Sequence, residues 1–227
     1  MTSAILVAAG RGTRMGPDVD KLFLEVGGRP VVAHTWGRLE ACPAVDALVL
    51  VVRAGLEESF AGLARDHGFR KPFRVVPGGA ERQDSVAHGL AALSRETALV
   101  AIQDGARPCT SPEVIARCLA AAARTGAAVA AQRVTDTVKA SDGDRTIASH
   151  LDRSRLWTVQ TPQCFRRQVI ERALEATRTA GRRITDDTAA CELTGQSVEL
   201  VECPEPNPKV TTPADLPWIE WLLRRDP

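Results

Sequence analysis

Residues 5–16 read Ile-Leu-Val-Ala-Ala-Gly-Arg-Gly-Thr-Arg-Met-Gly, an apolar run of strand length that passes straight into a glycine-rich turn. Such a turn marks a phosphate site, because glycines let backbone N–H groups approach phosphate oxygens. Two common versions fail on spacing. Gly10, Gly12 and Gly16 give G-x-G-x-x-x-G, with Met15 where a dinucleotide fingerprint needs glycine or alanine. Gly16-Pro17 also breaks any helix within a turn, and the second apolar run ends in Arg53, where a ribose-binding acid would stand. The spacing G-x-x-x-x-G-K-[ST] of a P-loop is absent. What remains is a long loop, residues 9–21, whose Arg11, Arg14 and Lys21 can neutralise phosphate.

Working outward, short aliphatic runs alternate with stretches of helical length. Strands are expected at Ile5–Val7, Ala47–Val52, Phe73–Val76, Ala98–Ile102 and, more weakly, Ala127–Ala131; helices are expected at 30–41, 56–67, 82–94 and 112–125. Continuous apolar strands separated by helices predict a mostly parallel sheet of the Rossmann-like α/β class with helices on both faces. Ligands of such sheets sit outside the carboxyl ends of the strands, which gathers residues 8–21, 77–85 and 103–108 on one rim. Residues 132–157 break the rhythm. They read as strand, Asp-Gly turn, strand, too polar to be buried on both faces, and predict a projecting β-hairpin arm with Thr137 and Lys139 in its first strand. Helices near 166–179 and 186–194, a strand at 197–201 and a last helix from Pro213 complete one domain over 1–227.

The composition narrows the function. With 29 basic and 28 acidic residues the formal charge is +1, which leaves no broad polyanion-binding face and argues against nucleic acid as a partner. No run reaches the roughly 18 apolar residues of a membrane span. The six cysteines include no C-x-x-C pair, the four histidines have no metal-ligand spacing, and no G-x-S-x-G elbow occurs. The expectation is a reduced, cytoplasmic protein.

The rim segments carry the chemistry. Gly78 and Gly79 precede a helix whose first turn holds Arg82 and Ser85, a place where free N–H donors meet polar ligands. Gln103-Asp104-Gly105-Ala106-Arg107 ends a strand with an acid, and Mg²⁺ takes one or two carboxylates plus substrate phosphates. Farther on, Arg153, the cap-like Thr185-Asp186-Asp187 and Lys209 add polar groups. Arg and Lys in number, one acid and no evident nucleophile suit phosphoryl-type transfer between two anions. An acceptor that is a phosphate monoester is already ionised and needs no general base. Local chemistry reaches nucleotidyl transfer and names neither nucleotide nor acceptor.

Taken in order, AAGRGTRMG…DK, GGAERQDSV, QDGARP, TDTVK, R-x-x-LW-x-x-QTPQ-x-F, TDD and N-x-KVTTP-x-DL span nearly the whole chain. The series resembles the 2-C-methyl-D-erythritol 4-phosphate cytidylyltransferases of non-mevalonate isoprenoid synthesis; ribitol-5-phosphate cytidylyltransferases are similar and share most of it. The resemblance implies a nucleotide-diphospho-sugar transferase type of fold, with CTP and a polyol phosphate as substrates. It implies that Arg14 and Lys21 stabilise the transition state and that Arg153 and Lys209 position the acceptor. Ala8, Ala9, Gly10, Gly12, Gly78, Gly79, Arg82 and Ser85 would hold CTP, Asp104 would bind Mg²⁺, and Asp104, Arg107, Thr137, Arg153, Thr185 and Lys209 would surround the polyol phosphate. It further implies a homodimer whose arms exchange, bringing Thr137 and Arg153 to the partner's site.

Three positions depart from the family's usual pattern. Asp20-Lys21-Leu22 stands for Pro-Lys-Gln, Gln103-Asp104-Gly105 for His-Asp-Ala, and Thr185-Asp186-Asp187-Thr188 for Thr-Asp-Glu-Ala. Asp20 is expected to soften the field of Lys21, and Gly105 to loosen the loop around the metal.

Overall fold

The computed structural model describes residues 1–10, 20–143 and 145–225. In chain order its strands and helices are β1 (Thr2–Ala8), β2 (Glu25–Val26), β3 (Arg29–Pro30), α1 (Val31–Ala41), β4 (Ala47–Val52), α2 (Glu57–His67) and β5 (Phe73–Pro77). Then follow α3 (Arg82–Ala91), β6 (Leu99–Asp104), α4 (Pro112–Thr125), β7 (Ala127–Arg133), β8 (Lys139–Ser141) and β9 (Ile147–His150). β10 (Trp157–Arg166), α5 (Arg167–Thr179), α6 (Asp187–Glu192), β11 (Glu199–Glu202) and α7 (Leu216–Arg225) complete the chain.

Seven strands form one sheet in the order β11-β7-β10-β6-β1-β4-β5. β10 runs antiparallel to both its neighbours, and every other pair in the sheet is parallel. The alternation of side chains along β1 builds both faces. Ala4, Leu6 and Ala8 turn to one layer with Trp36 of α1, Phe60 of α2 and Ile115 of α4; Ile5 turns to the other with Val86 of α3 and Ile170 of α5. Each leucine, isoleucine, valine or phenylalanine among them, fully buried, contributes about 1.5–3 kcal/mol. Helix starts are fixed locally: Ser111 Oγ accepts from the Val114 N–H before Pro112, and Glu81 and Asp84 form a reciprocal capping box on α3. Among the described residues, no helix is long and apolar enough to cross a membrane.

The expected mixed, mostly parallel sheet with helices on both faces is the observed one, but two expectations need correction. First, β10 lies inside the sheet, where no strand was expected between residue 157 and the helix near 166–179. Gln160, Thr161 and Gln163 are buried there and hydrogen-bonded, so no apolar run marks the strand. Its register against β7 shifts between Val159 and Gln163, where the Thr161–Pro162 peptide is cis. Second, the arm assigned to 132–157 is shorter. Gln132 and Arg133 end β7, Trp157 begins β10, and the hairpin itself is β8 paired with β9. Thr137 therefore lies in the segment leading to β8, two residues before its first strand residue, Lys139.

Candidate active site

β1, β5 and β6 are parallel members of the sheet, so Ala8, Pro77 and Asp104 end on one rim. A cavity of about 630 Å³ opens there. Ala8, Ala9, Gly10 and Lys21 line it from the first loop, Gly79, Arg82 and Ser85 from the start of α3, and Asp104 and Lys209 from opposite halves of the chain. Gly12 and Arg14 lie outside the described residues. A second cavity of about 610 Å³, between α4 and α7, contains none of these groups.

The first loop meets the α3 entry at backbone distance. Gly78 does not line the cavity; its N–H donates to the Val52 carbonyl at 2.7 Å, and a Cβ there would stand 2.3 Å from Ala9 Cβ. Only glycine permits that approach. The Ser85 hydroxyl is engaged in the same turn, accepting from Gly79 N–H at 3.1 Å and donating to the Glu81 carbonyl at 3.1 Å.

Asp104 is the electrostatic centre. Lys209 Nζ donates to its Oδ2 at 2.7 Å, while Arg82 Nε and Arg107 Nε each stand 3.6 Å from a carboxylate oxygen. Burial pushes the carboxyl upward, but Lys209, Arg82 and Arg107 outweigh it and hold the group at about 2, from 3.8. Arg82 also reaches Asp187, Nη1 to Oδ2, at 2.8 Å. This contact buries the Asp187 carboxylate, whose one side-chain partner among the described residues is Arg82. Burial raises the Asp187 carboxyl above its usual range although Arg82 pulls it down. Arg82 is itself raised: burial lowers it, but Asp187 and Asp104 prevail. Three cations thus face two carboxylates, an excess suited to an anionic ligand.

The first-loop lysine is held differently. Lys21 Nζ donates to the Val210 carbonyl at 2.8 Å, and Asp20 pairs with Arg53 at the end of β4. The acid beside Lys21 is thereby neutralised, contrary to the softening expected. Gly105 is not loose either: its N–H donates to the Val7 carbonyl at 2.9 Å and its carbonyl accepts from the Thr35 hydroxyl at 2.9 Å.

Arg107 stands behind Asp104 and does not line the cavity; its Nη1 donates to the Asn207 carbonyl at 2.7 Å. Thr137, Arg153 and Thr185 are exposed and lie outside this chain's cavity. Arg153 Nη1 closes the arm on itself through the Thr135 carbonyl. Asp186, next to Thr185, caps α6 by accepting from the Ala189 N–H at 2.9 Å. The sequence shows the TDD motif but not that Asp187 is Arg82's partner. It also gives no role to Thr161, whose Oγ1 accepts from the Asp104 N–H at 3.1 Å. The QTPQ motif was the available signal.

A carboxyl-rim cavity on a mostly parallel sheet, with a glycine-rich first loop and excess cations around one ionised aspartate, defines a nucleotidyltransferase of the α/β class. The chain belongs to the 2-C-methyl-D-erythritol 4-phosphate cytidylyltransferase family, whose model matches residues 2–225. A curated relative of that description from Pelotomaculum thermopropionicum is 43% identical over 223 residues, covering 98% of this chain and 94% of the relative. The solved 4-diphosphocytidyl-2C-methyl-D-erythritol synthase from Anaerococcus prevotii superposes with a TM-score of 0.88 at 30% identity, covering 99% of this chain and 96% of that one. The solved 2-C-methyl-D-erythritol 4-phosphate cytidylyltransferase from Thermus thermophilus gives 0.79 at 33% identity, over 97% and 98%.

Proposed function

We propose that this chain transfers the cytidylyl group of CTP to 2-C-methyl-D-erythritol 4-phosphate, releasing diphosphate and forming an isoprenoid precursor. The observation that carries the reading is the joining, in one cavity, of the first loop, the α3 entry and the Asp104–Lys209 pair. A phosphate oxygen of the acceptor attacks the α-phosphorus of CTP. The new P–O bond forms as the bond to the bridging oxygen breaks, and the electron pair leaves with diphosphate. The acceptor oxygen is already ionised, so no side chain has to remove a proton. Arg14 and Lys21 neutralise charge at the α-phosphate, and Lys209 with Arg153 orients the acceptor.

Asp104 would hold Mg²⁺. Its donor set fits, since it stays ionised at the cavity wall and, among the described residues, no cluster of three ligating side chains competes with the one-carboxylate-plus-phosphates pattern. The bound ion would supply charge neutralisation at the triphosphate. Thr137 and Arg153 lie on the exposed arm, away from this chain's own cavity. That placement supports a homodimer in which each arm serves the partner's site, with Arg107 and Thr185 completing the polyol phosphate subsite; the cytoplasm is the proposed setting. Ala8, Ala9, Gly10, Gly12, Gly78, Gly79, Arg82 and Ser85 form the CTP side.

Diphosphate release is measured with CTP, Mg²⁺ and either methylerythritol phosphate or ribitol 5-phosphate. Turnover with the first is expected, and turnover with ribitol phosphate alone would transfer the assignment to the rival. Mixing Arg14→Ala and Arg153→Ala dimers should restore part of the activity through one intact composite site. No recovery after proven subunit exchange would place the whole site in a single chain.

A further inference from the structure

We infer that Asn207, which does not line the cavity, is a positioning residue that sets Lys209, Arg107 and Asp104 relative to one another; the inference rests on the proposed cytidylyl transfer. Asn207 is buried, and every polar atom of its side chain is used. Oδ1 accepts from the Thr110 hydroxyl at 2.9 Å, and Nδ2 donates to Gln160 Oε1 at 3.1 Å and to the Thr161 carbonyl at 3.0 Å. Because a main-chain carbonyl can only accept, the amide has one orientation. The Asn207 main-chain carbonyl accepts from Arg107 Nη1 at 2.7 Å.

These bonds reach all three charged groups. Arg107 is held directly. Thr161, gripped through its carbonyl, uses its own hydroxyl to accept from the Asp104 N–H at 3.1 Å. Pro208, with its fixed φ, carries the chain from Asn207 to Lys209, and the Val210 N–H then donates to the Ala106 carbonyl at 2.8 Å. A lysine is a point charge on a flexible stem, so its placement depends on an anchored main chain. Here the anchor is Asn207 on one side and Val210 on the other. Thr110 sets the hub from behind, itself accepting from Gln103 Nε2 at 3.0 Å. Its one proton goes to Asn207 Oδ1, with the Arg107 carbonyl at 3.2 Å the alternative acceptor.

Two variants test this. Asn207→Asp keeps shape and the acceptor for Thr110 but removes the donor to Thr161. Thr110→Val removes the orienting hydroxyl and leaves Asn207 in place. Each is assayed alone and combined with Lys209→Ala, with kcat and KM for CTP measured separately and urea midpoints recorded. Each single variant is also crystallised. A fall in kcat of about 10²-fold is expected for Asn207→Asp, the scale of a misplacement near 1 Å, and a smaller fall for Thr110→Val. KM for CTP should move less than kcat. Either change should lower kcat less once Lys209 is alanine, because only the links to Arg107 and Asp104 remain to be lost, and the crystals should show Lys209 Nζ displaced from Asp104.

An undiminished loss in the Lys209→Ala background, or Lys209 still hydrogen-bonded to Asp104 in the variants, overturns the proposal. If Asn207→Asp does not fold, Thr110→Val decides alone. Wild-type protein inactive on every polyol phosphate would defeat the functional reading instead, and the crystallographic position of Lys209 would still decide this one.

Discussion

Replacing Lys209 by methionine keeps the length of the stem and removes the charge nearest Asp104. Asp104 is buried, and its carboxyl titrates at about 2, not 3.8, because Lys209 at 2.7 Å and two arginines at 3.6 Å outweigh burial. That difference corresponds to about 2.4 kcal/mol of stability at neutral pH. A depressed acid contributes fully above its unfolded value, roughly 4, and the contribution is lost as pH falls through about 2. Lys209 is the largest of the three opposing influences, so Lys209→Met should cost about 1–2 kcal/mol at pH 7. For a chain of this size that lowers Tm by about 2–8 °C. Urea unfolding at pH 7, 5, 3 and 2 tests the sign: the gap between wild type and variant should persist down to about pH 4 and close by about pH 2. NMR of the Asp104 carboxyl should show its titration moving up in the variant. A gap of equal size at pH 7 and pH 2 would mean that Lys209 acts by packing, and unchanged titration of Asp104 would mean that the arginines suffice; either refutes the charge argument. In turnover the same variant should lose on the order of 10²-fold in kcat, as expected of a group that orients the acceptor.

Two further perturbations follow from contacts at the rim. Gly78→Ala would set a Cβ 2.3 Å from Ala9 Cβ and 3.0 Å from Ser85 Oγ, forcing the first loop away from α3. It should destabilise by about 1–3 kcal/mol and raise KM for CTP; unchanged CTP affinity by calorimetry would show that the two loops move independently. Asp20→Asn should cost under about 1 kcal/mol, because the Asp20–Arg53 pair is partly exposed. Arg53→Met leaves Asp20 uncompensated beside Lys21, so kcat/KM should fall further than for Asp20→Asn. The reverse order would show that Arg53 does not shield Lys21.

The parallel part of the fold was legible because buried parallel strands are written as uninterrupted aliphatic runs. Ala47–Val52 and the helix 112–125 match β4 and α4 residue for residue. β10 was not legible. Apart from Cys164 and Phe165, its buried positions are glutamine, threonine and proline, and the burial of the polar ones depends on partners contributed by β6, β7 and the 207 segment. The rim residues were foreseeable from strand ends and glycines, and nine of the named site residues line one cavity. What sequence could not supply was pairing across the chain. Lys209 meets Asp104 from 105 positions away, and Asp187 meets Arg82 equally far from it along the chain. Only the order of strands in the sheet brings them together. Arg107 and Ser85 read as ligand contacts, and the sequence does not show that Arg107 Nη1 also bonds Asn207 or that the Ser85 hydroxyl also braces the α3 turn.

The three departures from the family's usual pattern are absorbed by neighbours, and not to the same degree. Asp20 is matched by Arg53, and its other oxygen accepts from the Leu22 N–H at 3.1 Å, so the acid braces the turn that carries Lys21. Gly105 gives up a side chain, yet both its main-chain polar groups are bonded. Asp187 is the incomplete case. Its N–H is bonded to Gln163 Oε1 at 2.9 Å, which fixes the main chain, while its buried carboxylate has Arg82 as its one side-chain partner among the described residues. An aspartate is one methylene shorter than the glutamate usual there, and here Arg82 stands between it and Asp104. Arg82 therefore sits 2.8 Å from one acid and 3.6 Å from the other. Neither carboxylate satisfies it, and Arg107 and Lys209 already crowd Asp104 with positive charge. A polyanion entering this cavity meets a guanidinium whose protein partners leave hydrogen-bonding capacity unused. Arg82, alone among the three cations around Asp104, is thus held by two acids and still lines the cavity wall, where a second anion can meet its remaining N–H groups.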